Sequence, residues 1–500
     1  MRGATFTLLA TCFSCLLLVG LPPDVHAQDC QCTVSQVVAN TVTPCDKVIG
    51  QVINVATTTE LYNAINDINA SGGNKTVLLA DGTYDIASPG WYPYITASNV
   101  VFRSASGNRD AVILTGTGMK SVSPGVENVL YFVGDNNTIA DLTIRDAGNH
   151  GIAVEGDSLL VHNVRIQDTY EQMIKGTAGG DGADHGRVQC SLFEYTAGIG
   201  PQFYIGGLDI HKGDQWTVRD NVFIDIASPS GSLAEHAVHF WNNGSENTVE
   251  RNMIINCDRG IGFGLGSSPN TGGMIRNNMI YNDGMHPFHD VGIGLETSPG
   301  TKVFNNTVYI QYPNAIEYRF PETMGVDIIN NLTNKPIKAR DGAVANLITN
   351  ETNAWESWFV DAPSGNLRLA GNFPVVVDQG AYIFPMLVDD IDQTTRPEGD
   401  EYDIGAHEFL QSSSQESAPG RDVVVRLFPN PVRTSLSIQA DLADPVSVHI
   451  LNALGQEIFS LHQVDLSPGL QVDTRAWPAG VYLGQIRTGD QRIMRTIVVE

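Results

Sequence analysis

Asn221-Val222-Phe223-Ile224, Asn252-Met253-Ile254-Ile255, Asn278-Met279-Ile280-Tyr281, Asn306-Thr307-Val308-Tyr309 and Asn331-Leu332 are one phrase written repeatedly, an asparagine followed by a short apolar run. Asn163-Val164-Arg165-Ile166 opens the series, and Cys190-Ser191-Leu192-Phe193 fills the slot between it and the rest. From Cys190 onward the phrase advances by 31, 31, 26, 28 and 25 residues (190→221→252→278→306→331). A repeat of this length, built from strands with no helical pattern between them, predicts a stacked solenoid. A second short strand follows in each repeat, as in Gly151-Ile152-Ala153-Val154, Leu208-Asp209-Ile210-His211, Ala237-Val238-His239-Phe240 and Gly260-Ile261-Gly262-Phe263. Alternate strand residues point to opposite faces, so Ile, Val and Phe fill the interior and their neighbours face outward. The recurring asparagine has a physical reason. Its amide bonds the backbone of a tight turn and the asparagines above and below, and it tolerates left-handed geometry. Cys190 reads as an apolar substitute in that ladder, structural rather than reactive.

Working outward, Thr59 to Ile68 is an amphipathic helix with Leu61, Ala64, Ile65 and Ile68 on one face and Thr59 as its cap. It would cover the open end of the solenoid, which otherwise exposes core and unpaired edges. The chain divides into a signal peptide (1–27), an N-terminal extension (28–50), a solenoid (51–410) whose last coils from 336 are less regular, a Ser-rich linker (411–422) and a C-terminal domain (423–500). The signal has Arg2, an apolar run from Phe6 to Val19 and a small-residue cleavage site at Val25-His26-Ala27. That run is too short for a membrane span and is soon followed by Pro22-Pro23, so no transmembrane segment is expected in the mature chain. From Val423 alternating strands separated by short turns predict a small β-sandwich.

The 500 residues carry a formal net charge of −26, which argues against nucleic acid as a partner. An acidic polymer would be repelled at long range unless local cations reverse the field. Of the seven cysteines, Cys12 and Cys15 leave with the signal, and Cys30, Cys32 and Cys45 cluster at the new N-terminus. One disulfide is expected in that cluster, and five mature cysteines cannot all pair internally.

Two resemblances follow from particular residues. Leu427-Phe428-Pro429-Asn430-Pro431, Leu454-Gly455 and Pro478-Ala479-Gly480-Val481-Tyr482 closely resemble the C-terminal sorting domain of the type IX secretion system. That resemblance implies the type IX machinery as partner, export across an outer membrane, and release or surface attachment. The coiled region resembles the right-handed parallel β-helices of the pectate-lyase-like superfold. Its helix followed by Asp81-Gly82-Thr83-Tyr84 is similar to the start of the alginate-lyase and chondroitinase-B-like group. The fold class expected is therefore all-β, a right-handed parallel β-helix followed by a small sandwich. Such a fold hosts many activities, so function must be argued from the site.

Aligning the coils by their inward residues brings acids, bases and cations onto one outward face: Glu155, Lys175, Asp209, His211 with Lys212, and His239 with Glu235, His236 and Trp241. Glycines 262, 264 and 294 strip side chains from the adjoining patch. Coils about 4.8 Å apart let neighbouring residues share one sugar. The loop between Lys175 and His211 is long and glycine-rich, with Asp181, Asp184, Arg187 and the aromatic Tyr204. β-Elimination of a uronic acid polymer needs a group to neutralise the carboxylate, a base for the C5 proton and an acid for the leaving oxygen. Lys175-Gly176 resembles the base-bearing strand of chondroitinase-B-like lyases, which implies Lys175 as base; the arginine strand of that group has no counterpart, and the later coil reads His239-Phe240-Trp241-Asn242. His211 and His239 are assigned shared acid–base work and Arg187 carboxylate neutralisation, with Glu155, Asp209, Lys212, Trp241 and Tyr204 as substrate contacts. Asp181 and Asp184, with Asp209, are a candidate calcium site because Ca²⁺ takes oxygen ligands. The leading expectation is an exported polysaccharide lyase. A glycoside hydrolase using Asp184 and Asp209 as its carboxylate pair is the second, and a non-catalytic glycan-binding adhesin the third.

Overall fold

The computed structural model describes residues 30–87, 93–120, 128–177, 179–180, 182–410, 425–440, 446–452, 457–488 and 491–499. The expected signal peptide, the Ser-rich linker and Asp181 lie outside the described residues.

Three parallel sheets wrap one continuous core of about ten turns, a right-handed parallel β-helix. The first wall has twelve strands, from Gln51–Val55 to Ala345–Ile348; the second has ten, from Gly82–Asp85 to Leu332–Thr333; the third has ten, from Tyr94–Ile95 to Ile337–Arg340. A single coil runs through Thr217–Arg219, Val222–Ile224 and His236–Trp241, each strand pairing with its counterpart one coil above and below. Val218, Phe223, Val238 and Phe240 from that coil are buried in the core. The helix Thr58–Ser71 covers the first coils with Leu61, Ala64, Ile65 and Ile68 buried, but its cap is Thr57, whose hydroxyl accepts the Glu60 amide at 3.2 Å, rather than Thr59. No helix among the described residues is long and apolar enough to cross a membrane.

The corner between first and second walls explains the repeated asparagine. It has two residues. The first adopts left-handed geometry, as in Asp220 (φ 56°), Arg251 (φ 53°), Asn277 (φ 54°) and Asn305 (φ 50°). The second is the ladder residue. Asn221 Nδ2 donates to Asn252 Oδ1 at 3.0 Å, and the same bond recurs from Asn252 to Asn278, Asn278 to Asn306, Asn306 to Asn331 and Asn331 to Asn350. Each oxygen also accepts the backbone amide of the coil below, so a buried polar column is satisfied along its length. Register corrects one expectation. Leu192 pairs with Val222, so Ser191, not Cys190, occupies the place of Asn221, and the Ser191 amide donates to Asn221 Oδ1 at 3.0 Å. Asn163 and Cys190 sit one position earlier, at the left-handed corner.

Cys190 is therefore not a ladder substitute. It is disulfide-bonded to Cys32, while Cys30 bonds Cys45, so the mature N-terminus carries two bridges where one was expected; Cys257 remains a buried thiol. The bridge to Cys190 fastens residues 30–50 to the solenoid. There Val34 and Val37 join a second core with Leu192, Val222, Met253, Ile255, Met279 and Tyr281.

That second core also overturns the expectation of final coils beyond 348. Phe359, Leu367, Leu369, Val376, Val377 and Ile391 pack onto the same residues of the second wall, so the chain after the last coil lies as a lateral cover. The cause is compositional. Val222, Met253, Ile255, Met279 and Tyr281 face away from the solenoid core, so the second wall is apolar on both faces and must be buried on both. The third wall, by contrast, presents polar side chains outward. At the C-terminus, Val425–Phe428, Ser435–Ala440 and Leu470–Asp473 form one antiparallel sheet, and Val446–Leu451, Glu457–Val464, Gly480–Thr488 and Gln491–Val499 another. Leu436, Val448, Ile450, Val472 and Ile497 fill the core they share.

Candidate functional site

Parallel register on the third wall places Ala153, Lys175, Asp209, His239, Gly262, Gly294 and Glu317 in one outward column, one residue per coil. Two residues further along, His211 stands beside Trp241. The strands place these side chains outward because their neighbours Ile174, Leu208, Ile210, Val238 and Phe240 are buried inward.

Asp209 is the hub. One carboxylate oxygen, Oδ2, bonds the Lys175 ammonium and lies 3.5 Å from His211 Nε2. The other, Oδ1, accepts Trp241 Nε1–H at 2.8 Å and faces His239 Nδ1 at 3.4 Å. Lys175 Nζ and His211 Nε2 are themselves 3.0 Å apart. Burial alone would raise the Asp209 pKa, but the facing imidazoles of His211 and His239 and the charge of Lys175 outweigh it and hold the carboxyl well below the ordinary range. The rings of His211 and Trp241 meet edge to face at 4.2 Å. One coil below Lys175, His150 Nδ1 donates to the Gln172 carbonyl at 3.1 Å, and burial together with the charge of Lys175 pushes its pKa down to about 4.

Beside this cluster the glycines open a small cleft. Its lining includes His236, Arg259, Gly264, Gly294, Glu296, Glu317, Arg319 and Arg340. Ion pairs order the rim: Arg259 with Asp290 and Glu235, Arg319 with Glu296 at 3.0 Å, Arg340 with Glu317 at 2.7 Å. Burial and the charges of His239 and Arg259 push the His236 pKa well below the usual imidazole value.

Of the residues assigned from sequence, Lys175, Asp209, His211, His239 and Trp241 come together. Glu155 lies at the edge of the same wall, bonded by the Tyr131 hydroxyl and by Thr177 Oγ1 at 3.2 Å. Arg187 is corrected: it sits on the first wall, in register with Leu160 and Thr217, on a different face from Lys175. Lys212 follows the strand in left-handed geometry and reaches the Gly180 carbonyl at 3.2 Å, holding the loop instead of facing the cluster. Tyr204 is exposed in the preceding loop, where its amide bonds Gln202. Asp184 is a turn residue. Its carboxylate accepts the Asp214 amide at 2.9 Å, as Asp157 accepts that of Asp184 and Asp135 that of Asp157. This stack explains its spacing, and with Asp209 held by Lys175 the two carboxylates serve separate bonds; Asp181, the third residue of the calcium set, lies outside the described residues. The rim arginines 259 and 340 and His150 were missed, whereas Arg319 falls on the outward face where the coil alignment puts it. Their signal was present, since each occupies or flanks the strand aligned with Lys175.

Residues 426–500 match the family described as Secretion system C-terminal sorting domain. The chain thus carries a type IX export signal and is directed to the cell surface or the medium. No curated protein matches the sequence. Among solved structures, pectate lyase Pel9A is 14% identical and aligns over 72% of this chain and 97% of its own with a TM-score of 0.43. A mannuronic acid specific polysaccharide family 6 lyase from human gut microbiota is 14% identical over 60% of this chain and 78% of its own, TM-score 0.40. The family GH82 iota-carrageenase from A. fortis is 12% identical over 61% and 91%, TM-score 0.32. These are likenesses of fold.

Proposed function

We propose that the exported chain is a polysaccharide lyase that cleaves an acidic glycan by β-elimination on its third wall. The observation carrying this reading is the Lys175–His211 pair at 3.0 Å, anchored by the ionised, buried Asp209 and opening beside an arginine-rimmed, glycine-floored cleft.

Two basic nitrogens in hydrogen-bond contact are placed to pass a proton from one to the other. In the elimination, this pair takes the C5 proton of a uronate. The C5–H electrons become the C4–C5 double bond, the C4–O bond breaks, and a proton passes to the departing glycosidic oxygen. Asp209 keeps Lys175 oriented and balances its charge, and the Trp241 indole fixes Asp209 in turn. Arg259, Arg319 and Arg340 converge where a substrate carboxylate would lie. In a chain of net charge −26 these guanidinium groups are the cations the cleft offers an anionic polymer, and each is already paired with a carboxylate, Asp290, Glu296 or Glu317, that a substrate carboxylate would displace.

The test is incubation of the mature protein with pectate, alginate, chondroitin and neutral glycans, following the ultraviolet absorbance of an unsaturated uronate. Absorbance with one acidic glycan, abolished in Lys175→Arg, supports the reading. New reducing ends without that absorbance, or binding without any cleavage, would overturn it.

A further inference from the structure

We propose that Glu235, His236 and His239 form a binding site for a divalent transition-metal cation of the zinc class, at the inner end of the same cleft. One ligand atom from each lies within 4.8 Å of the others, and Glu235 Oε2 is 3.8 Å from His239 Nδ1. Zinc holds imidazole nitrogen and carboxylate oxygen at about 2.0–2.2 Å, which sets tetrahedral ligand atoms roughly 3.5 Å apart. The three donors therefore need only a small closing movement.

The stronger reason is what these atoms lack. Glu235 Oε2, His236 Nδ1 and His239 Nδ1 are all buried without a hydrogen-bond partner. His239 Nε2 faces the Gly264 carbonyl at 3.2 Å. A carbonyl only accepts, so Nε2 carries the hydrogen and, in the neutral ring, Nδ1 presents a lone pair. That lone pair looks at two carboxylate oxygens, Glu235 Oε2 at 3.8 Å and Asp209 Oδ1 at 3.4 Å. Trp241 Nε1–H already satisfies Asp209 Oδ1 and Arg259 Nη1 stands 3.9 Å from Glu235 Oε2, but neither reaches His239 Nδ1, and a cation between that nitrogen and Glu235 would supply the partner both lack. A carbonyl-oriented imidazole with its second nitrogen free is also how proteins present histidine to a metal. The ring of His236 lies 4.4 Å from that of His239 and is buried, which supplies the second nitrogen donor.

The other cluster of similar composition shows the contrast. Asp390, Asp392 and His407 also converge, but there every group is occupied. Asp390 accepts the amides of Asp392, Thr394 and Glu408; Arg368 bonds both oxygens of Asp392; His407 Nδ1 accepts the Leu369 amide. That group is a closed network with no donor left for an ion. The Glu235 set is open.

Two imidazoles and one carboxylate select a zinc-class ion over calcium or magnesium, which take oxygen ligands. Three protein ligands leave a fourth position, and His236 lines the cleft, so that position faces the place a glycan would occupy. The proposal does not depend on the elimination reaction, because binding is read with no glycan present.

The full mature chain, stripped with a chelator, is titrated with ZnCl₂ by calorimetry, and its metal content is measured after gel filtration. CoCl₂ gives a second reading through its visible absorption. The expected result is a single tight equivalent in wild type and in His407→Asn, lost in Glu235→Gln and in His236→Asn. Glu235 is the most exposed of the three, so its variant keeps the test valid if His236→Asn fails to fold. Wild type that takes up no zinc, or an equivalent that survives Glu235→Gln but disappears in His407→Asn, would overturn the assignment.

Discussion

The imidazole of His236 lies across Gly262, with Nε2 2.6 Å from the position a Cβ on that glycine would take. Gly262 is bare because a ring occupies the space where its side chain would stand. Gly262→Ala must push the ring aside, whereas at Gly294 an added methyl meets Val291 Cγ2 at 3.2 Å and leaves His236 Nε2 3.9 Å away. We expect Gly262→Ala to lose zinc uptake and turnover with an unchanged circular dichroism spectrum, and Gly294→Ala to keep its zinc. Equal uptake by both variants would contradict the placement of His236.

Lys175 is expected to separate charge from proton transfer. Lys175→Arg preserves a cation against Asp209 but has no accessible neutral form, so kcat should fall by about 10²–10⁴-fold with little change in Tm. Lys175→Met leaves a buried carboxylate without its cation and should cost about 3–5 kcal/mol at neutral pH. Because Asp209 has a depressed pKa, its stabilisation is fully present above the unfolded value of 3.8 and fades as pH falls through the folded one. Urea midpoints of the two variants beside kcat measured on the cleaved glycan decide the matter. An arginine variant with full turnover would remove Lys175 from the proton-transfer step.

The asparagine column should be most sensitive in its middle. Asn278 donates to Asn306 and to the Val249 carbonyl, and accepts both the amide and the side chain of Asn252. Asn278→Ala leaves several of these buried groups unpaired, at about 1–3 kcal/mol each. Asn350, at the end of the column and only part-buried, accepts from Asn331 alone and should cost less on truncation. Equal shifts in the urea midpoint would mean that the ladder does not act as a buried unit.

The lateral cover should loosen as pH rises. Asp403 is pushed up to about 7 by burial and by the neighbouring Glu408. Between its unfolded value of 3.8 and about 7 the folded chain holds a proton that the unfolded chain has released, so this group's contribution falls with rising pH across that window. Asp403→Asn removes this group's share, leaving that of Glu408, whose pKa burial also raises, and should make the decline shallower. The difference between wild-type and variant Tm from pH 4 to pH 7 measures it, and a constant difference would refute the assignment.

Much of the candidate site could be read in advance because strand parity and coil period are local properties. Asp209 and His211 alternate with Leu208 and Ile210, so their outward direction follows from four consecutive letters. Pairing Lys175 with Asp209 across 34 residues needed only the assumption of stacking. Failures came where a single position mattered. Cys190 and Ser191 differ by one residue, and that slip changes a ladder rung into a corner and a disulfide partner. Arg187 lies close to the cluster in sequence, but the intervening turn carries it to the first wall.

The alternation of apolar residues and the recurring asparagine by themselves determined a solenoid, because strand faces and turn geometry depend on neighbours only a few residues away. The last segment's turn motifs likewise specified an export domain. Only the folded chain decided which wall stays open: residues 30–50 and 351–409 cover the second wall through contacts hundreds of residues apart, and no local pattern states where a distant segment will bury its apolar side. The same holds for the three electron-rich atoms at His239. Their convergence arises from the stacking of separate coils and a loop, and such proximity is a property of distance in space, not of order along the chain.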